Sequence, residues 1–271
     1  MNTSTMTAPT VQAEMHDVAG SPVALRRRGT GDPLLFLHGA GFTGRWLRFH
    51  EALARGADVI APEHIGFGAT PRQDWLETID DLVIHYDDLR RSLELETFDL
   101  VGYSLGGWIA AAYAVTYPER LRTLTLITPI GLRIPGRPPF ADLFQMEPAD
   151  VFGTVFNDPT NMAEVAVDMT DLDTLVAAYE ESSTLARLVW NPRYDRRLPR
   201  RLRRVDRPAL IVGAENDRLV PDEACDLYAS HLPDARVERI PGTGHALVIE
   251  QPERTAQTIL EFIRTERGGE Q

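Results

Sequence analysis

The stretch Phe98-Asp99-Leu100-Val101-Gly102-Tyr103-Ser104-Leu105-Gly106-Gly107-Trp108-Ile109-Ala110-Ala111-Ala112 decides how this chain is read. An apolar run, a Gly-x-Ser-x-Gly turn and a small-residue run follow one another without a gap. That order predicts a strand, a sharp turn with a serine at its apex, and a helix. The glycines let the backbone fold tightly enough to present one hydroxyl. The amides at the start of the helix have no intrahelical acceptor and lie at the positive dipole end, so they favour a developing negative charge. Such a turn points to acyl transfer.

Outward from this turn, strand-like runs alternate with helical patterns, the signature of an α/β protein with a doubly wound, mostly parallel sheet. Strands are expected at 22–28, at 33–37 leading into His38-Gly39, and at 58–61, 98–103, 124–127, 209–212 and 237–240. Helices are expected near 44–55, 75–95, 104–117, 222–231 and 252–266. In the second of these, Leu76, Ile79, Leu82, Val83, Tyr86 and Leu89 recur at three-and-four spacing and form one apolar face.

The rhythm breaks over 133–206, which opens on Pro135, Pro138 and Pro139, turns acidic and helical from Glu147 to Glu181, and closes on the basic run Arg196 to Arg207. With no strand pattern, it reads as a helical cap inserted into a core domain made of 11–132 and 207–267; two sheet-packing helices with long loops are the alternative. The tails, 1–10 and 268–271, are expected to be disordered.

Composition narrows the function. All 28 cations are arginine, so a Schiff-base lysine is excluded, and the formal charge of −12 argues against nucleic-acid binding. The single cysteine, Cys225, sits in a helical pattern without a neighbouring histidine and reads as a buried structural thiol. The first twenty residues lack a basic start followed by an apolar stretch, and no run reaches the roughly 18 apolar residues of a membrane span, so a cytoplasmic protein with no membrane contact is expected. No histidine or carboxylate pair has metal-ligand spacing on one element, and neither metal nor cofactor is expected.

A serine hydroxyl needs a base, and the base an orienting acid. Asp217, in Gly213-Ala214-Glu215-Asn216-Asp217-Arg218, follows one late strand; His245, in Pro241-Gly242-Thr243-Gly244-His245, follows the next. All three loops should open on the same edge of the sheet. Asp217 could instead cap the helix beginning near Pro221, although Asp222 is better placed for that, and Glu215 is the second candidate acid. The small residues of His38-Gly39-Ala40-Gly41 offer an oxyanion hole, with the backbone N–H groups of Ala40 and Leu105 as donors. His38 reads as a loop-holding residue and His64 as structural or rim-lining.

The chain resembles the α/β-hydrolases with a helical cap. The resemblance rests on His38-Gly39, Gly66-Phe67-Gly68, the Ser104 turn, Gly213 to Asp217 followed by Pro221, and Gly244-His245 followed by Glu250-Gln251-Pro252-Glu253. It implies a triad of Ser104, Asp217 and His245 acting on a small-molecule substrate. Branches that place an aspartate at the turn, the haloalkane dehalogenases and epoxide hydrolases, do not match Ser104. The stretch 104–136 is similar to hydrolases that cleave carbon–carbon bonds in meta-cleavage products, but those carry asparagine before the serine and tryptophan after the histidine, where this chain has Tyr103 and Ala246. Hydrolysis of a carboxylic ester, thioester or lactone of a small to medium hydrophobic substrate is therefore expected. Carbon–carbon hydrolysis of a vinylogous diketone, perhydrolysis as a side reaction, and a non-catalytic binding role stand as alternatives. Gly39, Phe42, Phe140, Phe144, Met146, Trp190 and Leu247 are the candidate substrate-binding residues, Leu143 and Trp108 are further apolar candidates for the pocket, and core packing is the competing role for the apolar side chains.

Overall fold

Residues on alternate positions of each central strand serve two different cores. Leu35 and Leu37 of the strand Pro33–Leu37 pack with one cluster, and Leu34 and Phe36 with the other. This period of two is what a sheet covered on both faces requires. The computed structural model of the protein describes residues 10–166 and 170–268.

In chain order the strands are β1 (Glu14–Val18), β2 (Ser21–Arg28), β3 (Pro33–Leu37), β4 (Asp58–Pro62), β5 (Phe98–Tyr103), β6 (Leu121–Ile127), β7 (Ala209–Ala214) and β8 (Ala235–Ile240). They form one sheet in the order β1-β2-β4-β3-β5-β6-β7-β8. Pairing is parallel from β4 through β8, and antiparallel where β2 meets β1 and β4. The helices are α1 (Arg48–Leu53), α2 (Ile79–Ser92), α3 (Leu105–Thr116), α4 (Pro148–Val155), α5 (Leu172–Val189), α6 (Leu198–Leu202), α7 (Glu223–His231), α8 (Leu247–Glu250) and α9 (Pro252–Gly268). Helices α2, α3, α6 and α7 share one core, and α1, α8 and α9 the other. The expected α/β, mostly parallel architecture is therefore the observed one.

Some details differ from expectation. β1 has no counterpart in the reading above, because it is an edge strand whose Glu14, Met15 and Asp17 are all exposed, so its sequence carries no alternation. It joins β2 through Ala19 and Gly20, both at positive φ (51° and 85°), the backbone of a two-residue hairpin turn. α2 starts at Ile79 rather than near 75 because Thr78 caps it. The Thr78 Oγ1 accepts the Asp81 N–H, and the Asp81 carboxylate accepts the Thr78 N–H at 2.7 Å.

Between β6 and β7 the described residues of 133–206 hold α4, α5, α6 and two short 3₁₀ turns, and no strand. α6 belongs with the sheet-packing layer: Leu198 and Leu202 are fully buried and the helix contacts α3 and α7. α5 is different. Its last turns bury Thr184, Leu188 and Val189, while Leu172, Leu175, Val176 and Tyr179 face solvent. Of the expected disordered tails, residues 1–9 and 269–271 lie outside the described residues, and Gly268 ends α9. Among the described residues no helix is long and apolar enough to cross a membrane.

Candidate active site

β5 runs into α3 through a turn that only glycine-flanked backbone can make. A Cβ on Gly102 would sit 2.2 Å from the Gly106 carbonyl oxygen, and one on Gly106 would sit 2.0 Å from that of Leu37. Ser104 between them is held at φ 54°, ψ −109°, in the region non-glycine residues rarely adopt. The Ser104 N–H donates to the Ile127 carbonyl at 2.9 Å, and the Gly106 N–H to that of His38 at 3.1 Å. These bonds lock the turn to β6 and to the loop after β3.

Three loops meet at this point. His245 Nε2 lies 2.9 Å from Ser104 Oγ, and His245 Nδ1 lies 2.9 Å from Asp217 Oδ2. The imidazole and carboxylate side chains are 4% and 3% exposed, so the relay is shielded from water. With Asp217 accepting from Nδ1–H, Nε2 is the free base that faces the hydroxyl. The other Asp217 oxygen accepts the Leu219 and Val220 N–H groups, each at 2.8 Å, which fixes the carboxylate's orientation. Glu215, the rival acid, accepts the Gly242 N–H at 2.8 Å, and Asp222 pairs with Arg239.

The donors expected for an oxyanion hole are also adjacent to the serine. A Cβ on Gly39 would lie 3.1 Å from Ser104 Cβ, so the 39–41 loop passes directly over the nucleophile turn. Among the described residues, neither the Ala40 nor the Leu105 N–H donates to a protein acceptor. His38 and His64 hold this loop from behind. The His64 N–H donates to His38 Nε2 at 3.0 Å, His38 Nδ1 donates to the Gly39 carbonyl at 2.7 Å, and His64 Nε2 donates to the His38 carbonyl at 2.7 Å. Their rings stack at 3.8 Å between centroids, and His64 Nδ1 accepts a hydrogen bond from the Tyr86 hydroxyl. Burial lowers the pKa of both imidazoles, so they are neutral.

The pocket candidates are dispersed. Phe42 stacks on Tyr103 with rings 6.4 Å apart and meets Phe156 edge-on. Phe144, half-buried, packs on Trp190 at 5.2 Å, and Met146 accepts the Thr154 hydroxyl at 3.7 Å. Phe140 is buried under the Arg193 guanidinium, and Leu143 is half-buried beside that core. Leu247 is wholly buried among the α1, α8 and α9 side chains, and Trp190 is 53% exposed, so neither encloses a substrate space here. Trp108 is buried against Gly131 and lines a cavity of about 460 Å³ beneath the end of α5. A second cavity, of about 260 Å³, lies near Trp75 and His85, remote from Ser104.

Two residues named in the sequence reading hold the site in ways that reading did not assign. Tyr103 donates its hydroxyl to the His245 carbonyl at 3.0 Å, behind the imidazole. Glu250 accepts the Gly244 N–H at 2.6 Å and the Asp158 N–H at 2.7 Å, joining the histidine loop to the segment after α4. Cys225 is buried and its thiol is pushed up to about 12, an inert group. Among the described residues no cluster of histidine, cysteine and carboxylate could hold a metal ion.

A strand-turn-helix serine, a buried histidine–aspartate pair and the free amides of Ala40 and Leu105 define a serine hydrolase on a doubly wound sheet. The Alpha/beta hydrolase family model matches residues 34–258, and the chain belongs to that family. The chain is 27% identical to the 2-hydroxymuconate semialdehyde hydrolase of Pseudomonas sp. (strain CF600), over 90% of this chain and 91% of the relative. It is 24% identical to the monoacylglycerol lipase ABHD6 of Mus musculus, over 88% of this chain and 77% of the relative. Among solved structures, a meta-cleavage product hydrolase from Pseudomonas fluorescens IP01 superposes with a TM-score of 0.79 at 22% identity, covering 94% of this chain and 98% of that one.

Proposed function

We propose that the protein hydrolyses a carboxylic ester, thioester or lactone of a small to medium hydrophobic substrate through an acyl-enzyme. The observation that carries this reading is the pair of 2.9 Å contacts joining Ser104, His245 and Asp217 from three separate loops. In the proposed mechanism His245 Nε2 takes the Ser104 proton as Oγ attacks the carbonyl carbon. The developing imidazolium is stabilised by Asp217, and the oxyanion is held by the Ala40 and Leu105 N–H groups. The imidazolium then protonates the leaving group, and His245 activates the water that releases the acid. Within the segment 133–206, α4 and α5 act as a cap over the strand ends, and small apolar acyl groups enter beneath α5.

Similarity to the 2-hydroxymuconate semialdehyde hydrolase favours carbon–carbon hydrolysis as the second reading. Tyr103 and Ala246 weigh against it, because Tyr103 turns its hydroxyl away to the His245 carbonyl and Ala246 brings no aromatic ring.

Turnover of 4-nitrophenyl esters of rising chain length tests the first reading. Activity on short and medium acyl chains, lost on Ser104→Ala by about three orders of magnitude or more, is expected. A fluorophosphonate should label Ser104 alone. No turnover at any length, with no labelling of the folded protein, would reject both the esterase mechanism and the assignment of Ser104.

A further inference from the structure

Helix α5 lies with its later turns on the loops that flank Ser104. Thr184 is buried against Gly66, whose Cβ would fall 2.7 Å from the threonine hydroxyl. One turn earlier, Glu181 is half-buried and its Oε1 accepts the Gly41 N–H at 2.6 Å. Gly41 is the residue after Ala40, so a carboxylate from the insertion sits beside the loop that offers the oxyanion donor. Among the described residues Glu181 has no cationic partner. Arg187, the one arginine in α5, pairs instead with Glu77 at 3.8 Å.

Bond lengths alone bound the separation. An oxyanion hydrogen-bonded to the Ala40 N–H would stand within roughly 10 Å of the Glu181 carboxylate. At the effective dielectric constant of about 20 that describes partly buried sites, two unit charges at that distance alter an equilibrium by about tenfold. A negative charge in this position opposes catalysis, since it repels the oxyanion of every substrate. It therefore calls for a role other than stabilising that oxyanion. An anionic substrate group entering between α5 and the oxyanion loop would meet the same uncompensated charge, while an uncharged chain would not.

We propose that Glu181 is a specificity-determining charge filter, so that the site takes esters with uncharged acyl chains and rejects those that carry a carboxylate. The inference rests on the ester-hydrolase reading and names the charge class of its substrate. The carboxylate acts through space, and its hydrogen bond to Gly41 N–H keeps it beside the loop. Pinning Gly41 and filtering charge are separable, because glutamine retains an oxygen for the Gly41 N–H and removes only the charge.

The test compares 4-nitrophenyl octanoate with mono-4-nitrophenyl suberate, which differ by a terminal carboxylate, on wild type and Glu181→Gln at low ionic strength. Wild type is expected to favour the octanoate ester in kcat/KM, and Glu181→Gln to narrow that preference by about threefold or more, the suberate carboxylate lying farther from Glu181 than the oxyanion does. Added salt should narrow the wild-type ratio and leave that of Glu181→Gln nearly flat. Repulsion of the oxyanion is common to both esters and cancels in the ratio. A purely structural role would change both rates together and leave the ratio unmoved, which would overturn the proposal. A binding arm is independent of turnover: calorimetric Kd values of octanamide and suberamate, its analogue with a terminal carboxylate, for Ser104→Ala and for Ser104→Ala/Glu181→Gln. Suberamate alone should bind about threefold or more tighter to the double variant. If neither ester is hydrolysed, the esterase reading fails and this arm still decides. Equal suberamate affinity in the two proteins, or no binding of either ligand, sinks the filter.

Discussion

Replacing Glu250 with alanine should destabilise the protein by about 3 kcal/mol and slow its chemistry at a distance from the serine. The carboxylate ends α8 and bridges two backbone amides, Gly244 N–H at 2.6 Å and Asp158 N–H at 2.7 Å. Hydrogen bonds to a charged acceptor contribute about 1.5–3 kcal/mol each. The Asp158 amide is exposed and can rebind water, so it counts for less than 1 kcal/mol of that total. Gly244 has no such freedom: a Cβ there would sit 2.6 Å from Asn157 N and 2.8 Å from the Val155 carbonyl oxygen. Its amide is packed under the segment that follows α4, and the next residue is His245. Loosening this loop should lower kcat about tenfold with little change in KM, because the imidazole rather than the acyl pocket is displaced. Glu250→Gln, which keeps one acceptor and turns an amide N–H toward the other donor, should fall between the two. Urea denaturation measures the stability, and initial rates on 4-nitrophenyl butyrate the activity. A Glu250→Ala protein within 0.5 kcal/mol of wild type, the ordinary scatter of surface substitutions, and with unchanged kcat would refute the reasoning.

Acid should unfold the protein early. Burial holds His50 at about 3 and His85 at about 4, below the unfolded value of about 6.5, so below pH 6.5 the unfolded chain binds protons that the folded one does not. These two histidines alone should remove about 4 kcal/mol between pH 7 and pH 5, and His64 adds in the same direction; urea midpoints that stay flat over this range would contradict it. Gly106→Ala should fail to fold at 37 °C or lose more than about 4 kcal/mol, since its methyl would meet the Leu37 backbone oxygen at 2.0 Å, as read by thermal melting. Cys225, 3% exposed and with its thiol near 12, should resist a disulfide reagent at pH 8 until the protein unfolds; fast labelling of folded protein would show that α7 opens.

Much of this architecture was legible because its signals are local. β3 and β5 are apolar runs closed by glycine-containing turns, and they occur over the expected residues, 33–37 and 98–103. α2 shows a single apolar face and a capping pair at its start. Other features escaped for equally definite reasons. β1 is stabilised by backbone pairing at an edge, so its side chains needed no alternation. The first turns of α5 turn Leu172, Leu175, Val176 and Tyr179 to solvent, while its last turns bury Thr184 beside Leu188 and Val189, so apolar residues alone do not mark its inward side. Trp190 misled in the same way, as an aromatic residue expected in a pocket that proved half in solvent.

The order of the chain determined which loops carry the serine, the acid and the histidine, because a parallel sheet puts every strand-to-helix loop on one edge whatever side chains the loops hold. It determined too that Ser104 must stand in a tight turn, since Gly102 and Gly106 leave room for nothing larger. Only the tertiary structure puts Asp217, and not Glu215, against the His245 imidazole. They lie two residues apart and are alike in chemistry, and the selection comes from which carboxylate the Leu219 and Val220 amides aim at Nδ1. The same holds for Glu250 and Glu181: each acts on a backbone amide distant in the chain, and a backbone N–H is identical at every residue, so no sequence pattern announces the contact.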